Sequence, residues 1–151
     1  MAVTSGSVYS GYAKSSRLYV SWSQISQTIA DNYTDISWDA GIIVGGGNLW
    51  YSNAVKITGV YINGVKVSSG GTYSNLTSNG TYQKLSGTAR IYHNDNGEKS
   101  FTVSIYGWFY NYGDKSGSTT FELTPIPRVS DLSVDKTTVP ADGTTTVTAT
   151  A

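Results

Sequence analysis

Apolar and polar residues alternate along most of the chain. From Arg17 onward, Leu18, Val20 and Trp22 fall on one face of an extended segment, and a second run repeats the pattern with Thr34, Ile36, Trp38 and Ala40. A period of two residues is that of a β-strand with one buried face. No long window shows the uninterrupted i, i+3, i+4, i+7 apolar spacing of an amphipathic helix. We therefore predict an all-β chain without a long helix.

Glycine and asparagine separate the alternating runs. The stretch 45–48 reads Gly-Gly-Gly-Asn, and Asn63-Gly64 divides residues 55–67 into two short strands. An Asn-Gly pair adopts positive φ at low cost and suits a tight hairpin turn. Residues 1–14 are small and polar with two tyrosines, which suits a loose arm or an edge strand. We therefore predict that the regular fold begins near residue 15.

Residues 85–109 allow a strand register to be predicted. One parity carries the apolar residues Leu85, Ala89, Ile91, Phe101, Val103, Ile105 and Phe109, on either side of an Asn-Asp-Asn-Gly turn. If all of them face one core, a three-residue loop at 95–97 is required, which pairs Ile91 with Phe101 and gives Gly97 a left-handed conformation. We therefore predict a β-hairpin.

Composition places these strands in a globular protein. Hydrophobic residues make up 38% of the 151 residues and charged residues only 13%, so the chain is not disordered. This length suits one domain plus a fragment. The abundance of tyrosine, tryptophan and glycine favours strands and turns. We predict an antiparallel β-sandwich, of the jelly-roll or the immunoglobulin-like kind.

Charge and cysteine content limit the classes of partner and of stabilising cross-link that the chain can have. Ten Lys and Arg balance ten Asp and Glu, which removes the attraction that nonspecific nucleic-acid or acidic-membrane binding needs. No apolar run approaches the roughly 20 residues of a membrane span, and the first residues lack the regions of a secretion signal. Without cysteine, neither disulfides nor Cys-ligated zinc can stabilise the fold. We expect no nucleic-acid or membrane partner, and synthesis in a cytoplasm.

Two short motifs resemble those of a known protein family. The first runs Ile-Tyr-His-Asn from Ile91 to Lys-Ser-Phe at Phe101, and the second is Leu-Thr-Pro-Ile-Pro-Arg at 123–128. The pair is similar to the IYHN-x-(D)G-x-KSF and LT-x-IPR motifs of virion proteins from bacteriophages of Gram-positive bacteria. The resemblance covers about residues 15–128, with looser matches at 18–22 and 60–64. It implies a domain of a tail fibre, baseplate or other appendage of the phage particle. The departures, at Asp95-Asn96 and Pro125, affect a turn and a linker.

Residues 129–151 differ in character from the rest. Their L-x-V, V-x-A-D-G and V-T-A segments resemble the opening strands of a bacterial immunoglobulin-like repeat, a family of surface spacers. About 23 residues cannot bury a core, so we predict a fragment that continues in a longer chain or pairs with another molecule. Pro125 and Pro127 interrupt backbone pairing and mark a boundary. The predicted segments are an N-terminal arm at 1–14, a β-sandwich domain at 15–128 and an incomplete domain at 129–151.

Catalytic chemistry has little support in the sequence. His93, the single histidine, lies near Asp95, but a hydrolytic triad would need an activated Ser or Thr beside it, so we interpret His93 as a polar residue at a strand end. No spacing selects a glycosidase pair among Asp35, Asp39, Glu98 and Glu122. The turn at 94–98 offers oxygen ligands but lacks the other positions of an EF-hand. We predict a protein that is not an enzyme and needs no metal or cofactor.

Aromatic residues are the strongest candidates for a binding site. Rings on a sheet face stack against the C–H faces of sugars, while nearby polar side chains bond the sugar hydroxyls. The candidates are Tyr106, Trp108, Tyr110 and Tyr112, whose parity is opposite to that of the core set, and the loop pair Trp50 and Tyr51. In the alternative interpretation the stripe packs against a second sheet, the N-terminal arm or a neighbouring subunit. Trp22 and Trp38 are expected in the core.

These features predict a non-catalytic module of a phage virion that contributes to binding of carbohydrate on the host cell surface. Its expected partners are host cell-wall polysaccharide and other virion proteins, and its expected location is the phage particle. The alternatives are an architectural spacer or assembly domain, and a bacterial surface adhesin domain. The sugar and any homo-oligomer are left open. Because the chain has no net charge, we expect carbohydrate binding to depend weakly on salt.

Overall fold

A computed structural model describes residues 1–46, 49, 52–128, 133–134 and 149–150. Across these residues the chain forms β-strands and no helix, as predicted. The strands are β1 Ala2–Val3, β2 Ser5–Tyr9, β3 Arg17–Thr28, β4 Tyr33–Val44, β5 Val55–Ile62, β6 Val65–Ser68, β7 Thr72–Tyr73, β8 Gly80–Tyr92, β9 Ser100–Phe109, β10 Gly113–Leu123, β11 Ser133–Val134 and β12 Ala149–Thr150. No helix in the described ranges could cross a membrane.

The first ten strands form two sheets that pack as a β-sandwich, which confirms the predicted fold class. The four-stranded sheet has the order β2-β3-β4-β8, and the six-stranded sheet has the order β1-β10-β9-β5-β6 with β7 also beside β5. All neighbours are antiparallel except β1 and β10. The short strands β11 and β12 pair with each other in a separate ladder.

The core lies between the two sheets and contains the predicted apolar faces. From the four-stranded sheet, Leu18, Val20 and Trp22 are buried, as are Thr34, Ile36, Trp38 and Ala40. From the six-stranded sheet, Phe101, Val103, Ile105 and Phe109 are buried. The Trp22 ring meets the rings of Phe101 and Phe121 edge-on, with centroids 5.0 and 5.3 Å apart. Each fully buried large apolar side chain stabilises the fold by about 1.5–3 kcal/mol.

The turn at Asn63-Gly64 has the predicted conformation. Asn63 has φ 52° and Gly64 has φ 78°, and Ile62 pairs with Val65 across this two-residue loop. Such positive φ values match the twist of a tight hairpin. The predicted hairpin between β5 and β6 is therefore confirmed.

The predicted hairpin between β8 and β9 is wrong, because these strands belong to different sheets. Strand β8 pairs with β4, whereas β9 pairs with β5 and β10. The local turn is as predicted, with Asn94 N–H donating to the Glu98 carbonyl at 2.9 Å and Gly97 at φ 84°. Beyond the turn the chain crosses from sheet to sheet. Ile91 and Phe101 are thus buried in one core from opposite sheets, which satisfies the parity argument without a shared ladder. We call residues 93–99 the arch.

Residues 1–14 supply edge strands rather than a loose arm. Strand β1 lies beside β10 at the edge of the six-stranded sheet, and β2 lies beside β3 at the edge of the four-stranded sheet. The side chain of Val8 is buried in the core. The N-terminal residues therefore join the two sheets along one side of the sandwich.

Candidate functional site

The predicted aromatic stripe divides between a strand and a turn. Tyr106 and Trp108 lie on the outer face of β9, where Tyr106 is 45% exposed and Trp108 is half-buried. Tyr110 and Tyr112 lie beyond the end of β9, in the exposed turn before β10. Within the described residues no second sheet covers Tyr106, Tyr110 or Tyr112, since each keeps more than two fifths of its surface exposed. The other two candidates, Trp50 and Tyr51, lie outside the described residues.

Tyr106 forms one wall of a groove with a residue that the sequence did not single out. Tyr61, on β5, meets Tyr106 edge-on with ring centroids 5.5 Å apart and an interplanar angle of 84°. The groove has a volume of about 640 Å³ and is lined by Thr58, Gly59, Tyr61, Gly64, Thr102, Ser104 and Tyr106. Tyr61 alternates along β5 with the buried Val60 and Ile62, and the pairing of β5 with β9 brings it to Tyr106.

Paired hydroxyl groups line the floor beside the groove. Ser104 Oγ lies 2.9 Å from Ser118 Oγ, and Thr102 Oγ1 lies 2.9 Å from Thr120 Oγ1, across β9 and β10. A hydroxyl has one donor and two acceptor positions, so each pair keeps hydrogen-bonding capacity toward solvent. Exposed rings can stack on a sugar ring, and hydroxyl pairs with remaining hydrogen-bonding capacity can bond its hydroxyl groups.

A second aromatic pair continues the surface along β9. Trp108 and Tyr110 meet edge-on with ring centroids 6.1 Å apart. Trp108 is flanked by Lys56 on β5 and Asp114 on β10. Tyr106 and Trp108 are separated by roughly 7 Å along the strand. The outer face of the six-stranded sheet therefore carries two adjacent ring pairs with polar neighbours.

His93 is a structural residue in the arch and not an accessible base. Its Nδ1 lies 2.7 Å from the Gly97 carbonyl oxygen and its Nε2 lies 2.7 Å from Thr34 Oγ1. Because a carbonyl only accepts, Nδ1 carries a proton, and Nε2 shares the second hydrogen bond with the Thr34 hydroxyl. Thr34 is 0% exposed, so no substrate reaches this hydroxyl. The pair stabilises the crossing between the sheets.

Three ionisable groups of the four-stranded sheet have shifted pKa values, and they are Tyr19, Asp35 and Arg90, whose pKa is raised by its hydrogen bonds to Asp35. Bidentate hydrogen bonds from Arg90, at 2.9 and 3.0 Å, lower the pKa of the Asp35 carboxyl. Burial, reinforced by the neighbouring Asp39 carboxylate, raises the pKa of Tyr19 to about 12. Asp35 is thus held as a charged partner of Arg90 and is not free to act as a proton donor.

The two sequence motifs meet in space. The N–H of Ile126 donates to the carbonyl of Gly97 at 2.9 Å, and Ile126 is buried. The Arg128 guanidinium donates to the Ile29 carbonyl at 3.0 Å, and the Gln27 side-chain amide donates to the Thr124 carbonyl at 2.6 Å. We call residues 124–128 the exit segment. It is therefore hydrogen-bonded to the arch, to the end of β3 and to the β3–β4 turn.

The candidate site on the outer face of the six-stranded sheet is thus made of aromatic rings and hydroxyls. In the described part of the chain, no group of three or more His, Cys, Asp or Glu side chains is arranged to hold a metal ion. The chain matches no protein-family model, no curated protein and no solved structure.

Proposed function

We propose that the chain is a non-catalytic module of a bacteriophage virion that contributes to attachment to carbohydrate on a Gram-positive host cell. The observation that carries the binding role is the groove between Tyr61 and Tyr106. The virion assignment, to a tail fibre, baseplate or other appendage, rests on the motif resemblance described above. Host cell-wall polysaccharide is the proposed ligand.

The groove suits a saccharide in size and in polarity. Its volume of about 640 Å³ falls within the range of about 300–1,000 Å³ that is usual for ligand sites. A sugar ring would stack on Tyr106, whose orientation is supported by the edge contact with Tyr61. The half-buried Thr102 hydroxyl on the groove wall would bond the sugar hydroxyls, whereas Ser104 is only 7% exposed and already bonds Ser118.

An architectural role is the second candidate, and the exit segment favours it. Its buried Ile126 and its hydrogen bonds to the arch fix the direction in which the chain leaves the sandwich. A spacer or assembly domain needs such a fixed connection between neighbouring modules. A bacterial surface adhesin domain would need the same groove as the phage module, and the gene neighbourhood separates those two.

Binding to host cell walls before and after polysaccharide extraction tests the proposal. Tyr106→Ala and Trp108→Ala should each weaken binding by about tenfold or more, equivalent to about 1–3 kcal/mol, because stacked rings dominate a shallow site. The matched control is Tyr92→Ala. Tyr92 is also exposed, at 59%, and also forms an edge-on ring pair, with Tyr33, but it belongs to β8 of the other sheet.

Each outcome has a distinct meaning. If Tyr106→Ala and Trp108→Ala fold and retain full wall binding, the aromatic site is wrong. If the parent chain binds walls equally well before and after extraction, the ligand is not the polysaccharide. If the parent chain binds no wall preparation, the architectural role replaces the binding role.

A further inference from the structure

The sandwich has two ends that differ in composition. One end, which we call the proximal pole, contains the arch, the exit segment and the β3–β4 turn. The other end, the distal pole, contains the starts of β3, β5, β8 and β10 and the ends of β4 and β9. A hydrogen bond from Gly11 N–H to the Ser116 carbonyl, at 3.2 Å, joins the two sheets on the distal side.

The distal pole has a net positive charge because it holds few carboxylates. Its half of the described sandwich holds five cationic residues, which are Lys14, Arg17, Lys56, Lys84 and Lys115. Its carboxylates are Asp114 and Asp39, and Asp39 lies near the middle of β4 beside the Tyr19 hydroxyl. The proximal half holds the carboxylates Asp31, Asp35, Asp95, Glu98 and Glu122 against Lys66, Arg90, Lys99, Arg128 and the N-terminal ammonium of Met1. The sequence has zero net charge, but the charge is distributed unevenly and the distal pole is positive.

The distal cations are not neutralised by carboxylates. The ion pairs found among the described residues are Met1 with Glu122 and Arg90 with Asp35, and both belong to the proximal half. In the part of the chain that the structure describes, none of the five distal cations has a carboxylate oxygen within 4.0 Å. An exposed cation without a counter-charge attracts anionic ligands from solution.

Tyrosine rings hold two of these cations in place. The Arg17 guanidinium lies 3.9 Å from the centroid of the Tyr9 ring and 4.9 Å from that of Tyr12. The Lys84 ammonium lies 5.1 Å from the centroid of Tyr73 and 5.7 Å from that of Tyr82. A ring face orients a cation without cancelling its charge, so the N–H groups stay available to an anion.

We propose that the distal pole binds an anionic polysaccharide, a carbohydrate polymer that carries carboxylate or phosphate groups. This inference rests on the proposed function and specifies its ligand class. The cations would bond the acidic groups, while the exposed ring of Tyr12 and the half-buried ring of Trp108 would stack on the sugars. A saccharide is favoured over nucleic acid because the ring pairs and the hydroxyl-lined groove continue from the pole along β9. Binding should then weaken as salt rises, contrary to the expectation from net charge.

Binding of the full chain to matched polymers tests this inference. We expect polygalacturonate, which carries carboxylates, to bind at least about tenfold more tightly than neutral dextran of equal length at low salt. Raising the salt from about 0.05 to 0.2 M should weaken that binding several-fold. Arg17→Gln and Lys84→Gln should each weaken it about threefold, with thermal unfolding unchanged. Lys99→Gln, which removes the same charge as Lys84→Gln from the proximal pole, should leave binding intact.

Three results would overturn the inference. Equal binding of polygalacturonate and dextran, or no effect of salt, would show that the charge of the pole does not select the ligand. The groove proposal would survive that result, because the effect of Tyr106→Ala on cell-wall binding tests it separately. Equally tight binding of polyglutamate or duplex DNA would show a site for charge alone and not for carbohydrate. An equal loss in Lys99→Gln and Lys84→Gln would show that the site is not at the distal pole.

Discussion

Gly97 serves two separate purposes in the arch. Its φ of 84° lies in the left-handed region, where a side chain is strained. In addition, a Cβ atom at this position would lie 2.0 Å from the carbonyl oxygen of Ile126. Gly113 also has a left-handed φ, of 75°, but a Cβ there would meet nothing within 4 Å. The two glycines therefore distinguish backbone strain from close packing.

Alanine substitution at both glycines measures that difference. Gly113→Ala should lower the free energy of unfolding by about 1–2 kcal/mol, the cost of a left-handed residue. Gly97→Ala should cost about 1–3 kcal/mol more, because it also displaces Ile126 and its hydrogen bond. Urea denaturation of the two variants checks this. Equal losses would mean that the exit segment does not press on the arch.

At the scale of single residues, the sequence predicted backbone conformation and burial better than it predicted which residues are in contact. The left-handed conformation of Gly97 and the turn at Asn63 follow from the amino-acid types at these turns. The burial of Trp22 follows from alternation within one strand. The contact of Tyr61 with Tyr106 could not be predicted, because it depends on which strands pair, and alternation carries no information about pairing.

At the scale of elements, the arch shows the limit of the parity argument. Apolar residues of β8 and β9 point into the same core whether the strands are neighbours in one sheet or face each other from two. The residue that distinguishes these cases is His93, because its ring bridges Thr34 on β4 and the Gly97 carbonyl in the arch. Because both ring nitrogens of His93 are hydrogen-bonded, the side chain stabilises the arch where the chain crosses between the sheets.

A double-mutant cycle between His93 and Thr34 tests this bridge. His93→Phe keeps the ring but removes both hydrogen bonds, and we expect it to cost about 1–3 kcal/mol of unfolding free energy. Thr34→Val should cost less once His93 is already Phe, since both changes remove the same hydrogen bond, with a coupling of about 0.5 kcal/mol or more. Strictly additive losses in urea denaturation would show that the two side chains are not coupled.

At the scale of the whole molecule, the exit segment is held against the sandwich just before the boundary that the sequence predicts. Ile126 is buried and its N–H bonds to Gly97, while Arg128 bonds to the β3–β4 turn. Pro125 and Pro127 marked this region as a boundary in the sequence. The contacts of Ile126 and Arg128 with distant residues could not be predicted there, and neither could the charged pole, because both depend on the assembled sheets.

Two truncations locate that boundary. A chain ending after Arg128 should unfold at nearly the same urea concentration as the full chain. A chain ending after Leu123 should be destabilised by about 2–4 kcal/mol, because it loses the buried Ile126 side chain and the hydrogen bond to Gly97. If the chain ending at Arg128 were unfolded, residues 129–151 would belong to the sandwich.

The crossing of the chain between sheets also governs how the protein folds. Strand β8 is separated from its partner β4 along the chain by β5, β6 and β7, which belong to the other sheet, and β1 pairs with the much later strand β10. Pairings between residues this far apart in sequence close large loops before they gain contacts, which slows folding. The strands of the two sheets are interleaved along the chain. We therefore expect the sandwich to fold slowly and in one cooperative step.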